Sequence, residues 1–281
     1  MRTSIFVGIW ACVALMACNT EKKEEVVDQR IVSLSGAITE TIVALGAADR
    51  LVGVDVTSTF PEEIKQKASD LGHIRSMTLE PILALKPTLV LGLKKDFSPE
   101  LEEKLAGANI PVKLIDQEYS AAGAQRLIEQ VGEFIGLSNS QPVVAQMQAE
   151  LSKVSPLPRP LKVLFIYARG AGTLMVAGDK TAFSEMVKLA GGQNAVSGFE
   201  DFKPLTPEAL VQGNPDVILL FDSGLASVGG VDGLLKVPGV VSTSAGKNKA
   251  IIGLDGGLLT NFGPRTGEAA VALNRALAGI K

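Results

Sequence analysis

The only histidine of the 281-residue chain, His73, lies in the segment Leu71–Glu80 (LGHIRSMTLE). An imidazole can ligate a transition metal or transfer a proton near neutral pH. Arg75 follows two positions later, and its planar guanidinium is suited to bind a carboxylate. A lone histidine is more often structural than a ligand, so the residue types by themselves leave both interpretations open.

Two further arginines stand where a ligand contact is plausible on chemical grounds. Tyr167 and Arg169 end the apolar run that begins at Lys162, and Arg169 opens the glycine-rich turn Arg169–Gly172. Side chains at the carboxyl end of a strand are well placed to reach a ligand. Arg265 precedes the last helical segment, where a positive charge is unfavourable unless it has an anionic partner. We therefore expect both arginines to bind carboxylates.

Motifs for the common catalytic chemistries are missing from the sequence. It has no zinc-ligand spacing, no Gly-x-Ser-x-Gly and no Gly-x-x-x-x-Gly-Lys-[Ser/Thr]. Gly170 and Gly172 are followed by Met175 where a dinucleotide motif needs a third glycine. The net charge of −3 comes without a basic tract, which disfavours nucleic acid as a partner. We expect a protein that is neither an enzyme nor a nucleic-acid-binding protein.

The N-terminal residues 1–18 predict a lipoprotein signal peptide. A positive Arg2 precedes the apolar stretch Ile5–Ala17, which is short for a transmembrane helix and ends in a lipobox-like Leu-Met-Ala-Cys. Cys18 would be lipidated, and the other cysteine, Cys12, lies inside the signal, so no disulfide is expected. Polar residues 19–29 predict a flexible tether. We expect a membrane-anchored lipoprotein of the periplasm or the cell surface.

The rest of the chain alternates short apolar runs with helical segments, which predicts an α/β fold with mainly parallel sheets. The predicted strands are Arg30–Ser35, Leu51–Val56, Thr88–Gly92, Val112–Ile115, Lys162–Tyr167, Asp216–Phe221 and Ala250–Gly253. The boundaries expected from this pattern are an N-terminal lobe over residues 30–120, a helical linker over 121–160 and a C-terminal lobe over 161–281.

An internal repeat relates the two predicted lobes. One Thr, one Glu, one Pro and one Leu recur at an offset of 128 positions: Thr78, Glu80, Pro87 and Leu91, then Thr206, Glu208, Pro215 and Leu219. Each unit predicts an N-capping threonine, a short helix with glutamate in its first turn, and a buried strand. The chain is expected to form two similar lobes joined by a long backbone helix, with a ligand cleft between the lobes.

These features resemble the helical-backbone class of periplasmic binding proteins, which serve ABC importers of iron-siderophores, vitamin B12 and haem. The resemblance rests on the lipobox, the repeat, Arg30–Asp55 (RIVSLSGAITETIVALGAADRLVGVD) and Phe262–Leu277 (FGPRTGEAAVALNRAL). Within the class, Ala168–Gly178 (ARGAGTLMVAG) is most similar to haem-uptake members. Those members commonly carry Gly-Tyr-x-Arg with the tyrosine as axial iron ligand; here His73 occupies the tyrosine position, and Arg75 matches the arginine.

The resemblance implies that haem is the transported ligand and binds in the cleft. It implies His73 as the axial ligand of the haem iron, with Tyr167 as the alternative ligand. The other residues expected to contact the ligand are Arg75, Arg169, Phe262 and Arg265. Two alternatives stay open: the same role for a ferric siderophore or vitamin B12, and a surface lipoprotein without a transport ligand.

The resemblance also implies the partners. In this class, an exposed glutamate on each lobe docks on arginines of a dimeric permease, and the repeat places Glu80 and Glu208 at equivalent positions. Separate ATPase subunits would drive transport, while the binding protein is expected to act as a monomer that touches the membrane only through its lipid anchor.

Overall fold

The computed structural model describes residues 29–172 and 174–280. The expected signal peptide with Cys18, and all of the expected tether except Gln29, lie outside the described residues. In the part of the chain that is described, no helix combines the length and the apolar character needed to cross a bilayer.

The N-terminal lobe is a parallel sheet with helices on both sides. Its strands follow the order β3-β2-β1-β4-β5, and each neighbouring pair is parallel. The strands are β1 (Ile31–Ser33), β2 (Leu51–Val54), β3 (Ser69–Asp70), β4 (Leu89–Leu93) and β5 (Val112–Ile115), and the helices are α1 (Gly36–Ala44), α2 (Ile64–Lys67), α3 (Leu79–Ala84) and α4 (Pro99–Gly107). All residues of β4 are buried, as expected for a parallel strand covered on both faces.

Two helices connect the lobes: α5 (Ala121–Phe134) and α6 (Gln141–Leu151). The helical linker consists of two helices because Gly136 adopts a left-handed φ of 73° and the Leu137 N–H bonds back to the Gly132 carbonyl. Leu127 of α5 packs into the core of the N-terminal lobe. Helix α6 packs against α13 (Thr266–Ala278), the last helix of the other lobe.

The C-terminal lobe has a mixed sheet of order β11-β10-β6-β7-β9, with β8 pairing β6. Its strands are β6 (Lys162–Ala168), β7 (Leu174–Ala177), β8 (Gln193–Asn194), β9 (Phe202–Pro204), β10 (Val217–Phe221) and β11 (Ile251–Leu254). Its helices besides α13 are α7 (Ala182–Leu189), α8 (Pro207–Gly213), α9 (Asp222–Ser227), α10 (Gly230–Leu234), α11 (Ser244–Asn248) and α12 (Gly256–Thr260). Strand β7 runs antiparallel to β6 and β9, which departs from the otherwise parallel arrangement.

The sequence repeat is reproduced in the register of the central strands. In the N-terminal lobe Ile31 of β1 lies opposite Leu89 of β4, and in the C-terminal lobe Val163 of β6 lies opposite Val217 of β10. Leu89 and Val217 are separated by the repeat offset of 128 positions. The two lobes therefore share the same core unit of helix and parallel strand pair, which confirms the expected two-lobed α/β architecture.

Candidate functional site

A cleft between the lobes opens at the carboxyl ends of the N-terminal strands. A cavity of about 490 Å³ in this cleft is lined by residues that follow each strand in turn: Leu34, Asp55, His73, Lys95 and Gln117. The C-terminal lobe contributes Asp201, Phe202, Thr260 and Asn261 to the opposite wall. This volume falls within the range of small-molecule sites, and the strand ends are where ligands bind in such folds.

His73 and Arg75 both line this cavity, on the short 3₁₀ turn Ile74–Ser76 and the residue before it. The His73 side chain is exposed, and its Nδ1 accepts a hydrogen bond from the Arg75 backbone N–H at 3.2 Å. This bond caps the turn and fixes the plane of the imidazole. In a neutral imidazole with Nδ1 as acceptor, Nε2 carries the proton. The structure thus brings together the two residues that the sequence paired.

A buried carboxylate, Asp55, lies at the floor of the same cavity. It accepts hydrogen bonds from the Thr57 hydroxyl at 2.6 Å and the Ser58 hydroxyl at 2.9 Å. Burial raises the pKa of Asp55 above its ordinary value, and these hydrogen bonds and the nearby His73 offset only part of that effect. Sequence reasoning missed Asp55, although its place directly after β2 was a usable signal.

The cavity contains a second cation that the sequence did not single out. Lys95 Nζ donates to the Gln117 side-chain oxygen at 3.1 Å, contacts the Tyr119 hydroxyl, and lies 4.2 Å from the centre of the Tyr119 ring. Across the cleft, the Gln117 amide donates to the Asn261 carbonyl at 2.6 Å. Together with Arg75, Lys95 gives the N-terminal wall two positive groups that are able to bind carboxylates.

Tyr167 and Arg169 line a different cavity, of about 540 Å³, together with Phe221, Ser223 and Ser227. The Arg169 guanidinium lies 5.7 Å from the centre of the Tyr167 ring. Phe202 lines the His73 cavity but not the Tyr167 cavity, and its ring meets that of Tyr167 edge-on at 6.3 Å. His73 and Tyr167 therefore line different cavities rather than a single one.

Comparison with known proteins identifies the class of this architecture. A sequence profile described as periplasmic binding protein matches residues 31–257. This chain belongs to the periplasmic binding protein family. The solved structure of the periplasmic haem-binding protein RhuT from Roseiflexus sp. RS-1, in apo form, is 40% identical with a TM-score of 0.85, covering 89% of this chain and 98% of that chain.

Two curated relatives extend the comparison. The uncharacterized ABC transporter substrate-binding lipoprotein YvrC of Bacillus subtilis is 29% identical over 262 residues, covering 90% of this chain and 80% of that protein. The vitamin B12-binding protein of Vibrio vulnificus strain CMCP6 is 24% identical over 244 residues, covering 85% of this chain and 86% of that protein. The family is one of binding proteins rather than enzymes, in agreement with the lack of catalytic motifs in the sequence.

Two residues expected at the ligand lie elsewhere in this periplasmic binding protein. Phe262 is only 1% exposed and packs in the C-terminal core, with its ring 5.3 Å from that of Tyr119. Arg265 faces Glu40 of α1 in the other lobe. Neither residue lines the His73 cavity, and their contact with a ligand stays a prediction. Glu40 is the anionic partner that was expected for a cation at the start of the last helix.

The Glu40–Arg265 pair is buried at the junction of the lobes. Burial alone would lower the pKa of Arg265, but the hydrogen bonds and charge of Glu40 outweigh it and hold that pKa above its ordinary value. Asn261 donates a further bond to Glu40 at 2.8 Å, and the Arg265 guanidinium lies 3.8 Å from the centre of the Phe60 ring. The cluster thus fixes α1 to the segment that begins α13.

The repeat glutamates of this periplasmic binding protein are exposed on equivalent helices. Glu80 lies in the first turn of α3 and Glu208 in the first turn of α8. The backbone N–H of Glu80 and the hydroxyl of Thr78 bond its carboxylate, which lowers the pKa of Glu80. In α8 the Thr206 hydroxyl accepts from the Ala209 N–H at 3.1 Å, a typical N-cap.

Proposed function

We propose that this protein is the extracytoplasmic substrate-binding lipoprotein of an ABC importer, and that it binds haem between its lobes for delivery to the membrane permease. One observation carries the proposal: His73 and Arg75 line the same inter-lobe cavity. The His73 imidazole can ligate iron and the Arg75 guanidinium can bind a carboxylate, so the pair suits a transported compound that has both an iron centre and carboxylates. The 40% identity to a periplasmic haem-binding protein supports haem over other iron compounds.

Iron ligation in this proposal falls to His73, through the ring nitrogen Nε2. That nitrogen carries the proton while Nδ1 accepts the Arg75 N–H, so ligation requires the proton to move to Nδ1. A protonated Nδ1 cannot accept a hydrogen bond, and the cap of the 3₁₀ turn must then open. Binding of the iron is therefore coupled to a local rearrangement at Arg75.

The carboxylates of haem would meet the positive groups of the cleft. Arg75 lines the His73 cavity and Arg169 lines the Tyr167 cavity, so the carboxylates of one haem or of two haems could bind different arginines. Tyr167, beside Arg169, is the alternative iron ligand, since a phenolate also binds ferric haem. The aromatic rings of Phe202 and Tyr119 offer apolar faces to a flat macrocycle.

Delivery would use Glu80 and Glu208 as the contacts with a permease dimer, whose separate ATPase subunits open the lobes. The equivalent exposed positions of both glutamates support this role, because a two-fold partner can engage both in the same way. Anchoring through lipidated Cys18 would keep a monomeric binding protein close to its permease.

A corrinoid is the second candidate ligand, because a relative of 24% identity is a vitamin B12-binding protein. A corrinoid carries its own amide groups and needs no cationic cleft, whereas this cavity contains both Arg75 and Lys95. A ferric siderophore would use the same cations without His73. A surface lipoprotein without ligand would bind none of these compounds.

The deciding experiment is a haemin titration of the protein that begins after Cys18, followed by the Soret band, with cyanocobalamin and a ferric siderophore as competitors. We expect saturable binding and a Soret band that shifts or weakens in His73→Ala. Retention of the wild-type band in His73→Ala but not in Tyr167→Phe would move the ligand to Tyr167. Saturable binding of cyanocobalamin without haemin binding would contradict haem as cargo. If none of the three compounds stabilises the protein against unfolding, the surface lipoprotein without a transport ligand becomes the favoured alternative.

A further inference from the structure

Asp55 is a buried carboxylate in the wall of the ligand cavity. It is 1% exposed and lines the same cavity as His73 and Arg75. The Thr57 and Ser58 hydroxyls occupy two of the roughly four acceptor positions of this carboxylate, so positions remain for a further donor. Burying a charged group is costly, and buried carboxylates in a ligand cavity are candidates for a functional role. A donor inside this cavity therefore has a buried, charged acceptor within the site.

The backbone places Asp55 beside the loop that carries His73. The N–H of the next residue, Val56, donates to the Gly72 carbonyl at 2.9 Å. His73 directly follows Gly72, so Asp55 and His73 are the chain neighbours of two bonded residues. Paired extended backbones lie about 4.8 Å apart, a distance that these two side chains can bridge. Burial raises the pKa of Asp55 and the charge of the nearby His73 opposes that shift, so the two groups interact.

Iron ligation by His73 creates a new hydrogen-bond donor on the imidazole. In the ligand-free protein, Nδ1 of His73 accepts the Arg75 backbone N–H at 3.2 Å. When Nε2 ligates a metal, Nδ1 carries the proton and can no longer accept that bond. A metal-bound histidine generally donates its second N–H to a carboxylate, a carbonyl or water, which orients the ring and raises its basicity as a ligand. The ring of His73 therefore needs an acceptor that Arg75 does not provide.

We propose that Asp55 accepts the Nδ1–H hydrogen bond of His73 when the imidazole ligates the haem iron. Asp55 is then a positioning residue, because it contacts the ring and not the haem. This rests on the proposed binding of haem through His73, and it adds the group that makes a neutral imidazole a stronger ligand for ferric iron. The step loses no proton: the iron takes the place of the proton on Nε2, that proton moves to Nδ1, and the Asp55 carboxylate stays ionised.

The other carboxylates of the cavity are less suited to this role. Asp96 and Asp201 also line it, but both are more exposed than Asp55, so water competes for their oxygen atoms. Asp201 also belongs to the opposite lobe. A hydrogen bond to a charged acceptor is stronger where water is excluded. The hydroxyls of Thr57 and Ser58 hold the Asp55 carboxylate in place before the ligand arrives, so little further ordering is needed.

The test is a double-mutant cycle of haemin affinity in the full-length protein, with Asp55→Asn, His73→Ala and the two combined. We expect Asp55→Asn to weaken haemin binding by about ten-fold or more when His73 is present, and to have no effect when His73 is absent. The ferric–ferrous reduction potential of the bound haem should rise in Asp55→Asn, because the ring then donates less electron density to the iron. Asp96→Asn removes a charge from the same cavity and is the matched control, whose effect should be the same with and without His73.

A measurement on the wild-type protein gives an independent readout. In the complex with gallium protoporphyrin IX, the Nδ1–H proton signal of His73 should lie well downfield of that of an unbonded imidazole, because a charged acceptor deshields the proton. A signal without that downfield shift overturns Asp55 as the acceptor even if the Asp55→Asn variant does not fold.

The outcomes separate the inference from the proposed function. An equal loss of affinity for Asp55→Asn with and without His73, at an unchanged reduction potential, shows a merely structural Asp55 and leaves haem binding intact. A haemin complex that His73→Ala leaves unaltered overturns the iron ligand and the inference with it, while haem stays the cargo. The absence of any saturable haemin binding overturns the proposed function itself.

Discussion

Arg265 donates two hydrogen bonds to Glu40 across the junction of the lobes, from Nη2 to Oε1 at 2.7 Å and from Nε to Oε2 at 3.1 Å. The two residues are separated by 225 positions in the chain, and their side chains are 15% and 2% exposed, respectively. A bidentate, buried pair of this kind links the positions of α1 and α13.

Arg265→Ala is expected to destabilise the protein by about 3–5 kcal/mol, because it leaves the Glu40 carboxylate buried without its partner. The double variant Glu40→Leu with Arg265→Met should recover much of that loss, since no buried charge remains. Unfolding in urea measures both. Lys153→Ala, which removes an exposed pair with Glu150, is the control and should cost less than about 1 kcal/mol. An Arg265→Ala loss no larger than the control would show that the pair contributes nothing.

The free energy of unfolding of the Asp55→Asn variant is expected to increase, relative to that of wild type, as the pH rises. Burial raises the pKa of Asp55 in the folded protein, so the folded state holds the proton to higher pH than the unfolded state. The stability that this carboxyl contributes is present below its unfolded pKa and is lost as the pH rises through its folded pKa. Asparagine does not ionise and still accepts a hydroxyl hydrogen bond.

The measurement is urea unfolding of wild type and Asp55→Asn at several pH values from acid to neutral. Other carboxyls titrate equally in both proteins, so the difference between the two curves isolates Asp55. A wild type that gains stability over the variant with rising pH would contradict the expected direction of the pKa change.

The tautomer of His73 is expected to change when a metalloporphyrin binds. The free protein should have its proton on Nε2, because Nδ1 accepts the Arg75 N–H, and the complex should have it on Nδ1. Since His73 is the only histidine, the imidazole ¹⁵N spectrum of an untagged protein contains one pair of signals. Gallium protoporphyrin IX is a diamagnetic probe for this experiment. An unchanged Nε2–H tautomer in a saturated complex would exclude ligation through Nε2.

Arg75→Ala and Lys95→Ala are each expected to weaken haemin binding by about ten-fold, the usual effect of losing a hydrogen bond to a charged group. Neither substitution should matter for the dimethyl ester of haemin, which lacks the carboxylates. Lys94→Ala is a matched control, because Lys94 is exposed next to Lys95 but does not line the cavity. Equal losses for haemin and its ester would indicate that these cations act on the fold or on the iron rather than on the carboxylates.

Local patterns in the sequence predicted seven of the eleven described strands, β1, β2, β4, β5, β6, β10 and β11, but not the order in which they pair. The apolar run at β4 and the threonine–glutamate helix starts depend on neighbouring residues, and the repeat predicts the same short helix and buried strand in each lobe. The antiparallel β7 was not foreseen. Its cause is the short connection around Gly170 and Gly172, which is too short for a parallel crossover and turns the chain straight back.

The sequence by itself determined the two-lobed α/β class and the pairing of His73 with Arg75 in one loop, because both follow from short-range order along the chain. Only the tertiary structure decided which distant side chains lie together in the cores, in the cleft and at the junction of the lobes. It paired Arg265 with Glu40, buried Phe262, and separated Tyr167 from the His73 cavity. It also brought Lys95 and Tyr119 into the cleft. Contacts between the lobes depend on how the two lobes pack together, and no periodicity or spacing within either lobe encodes that geometry.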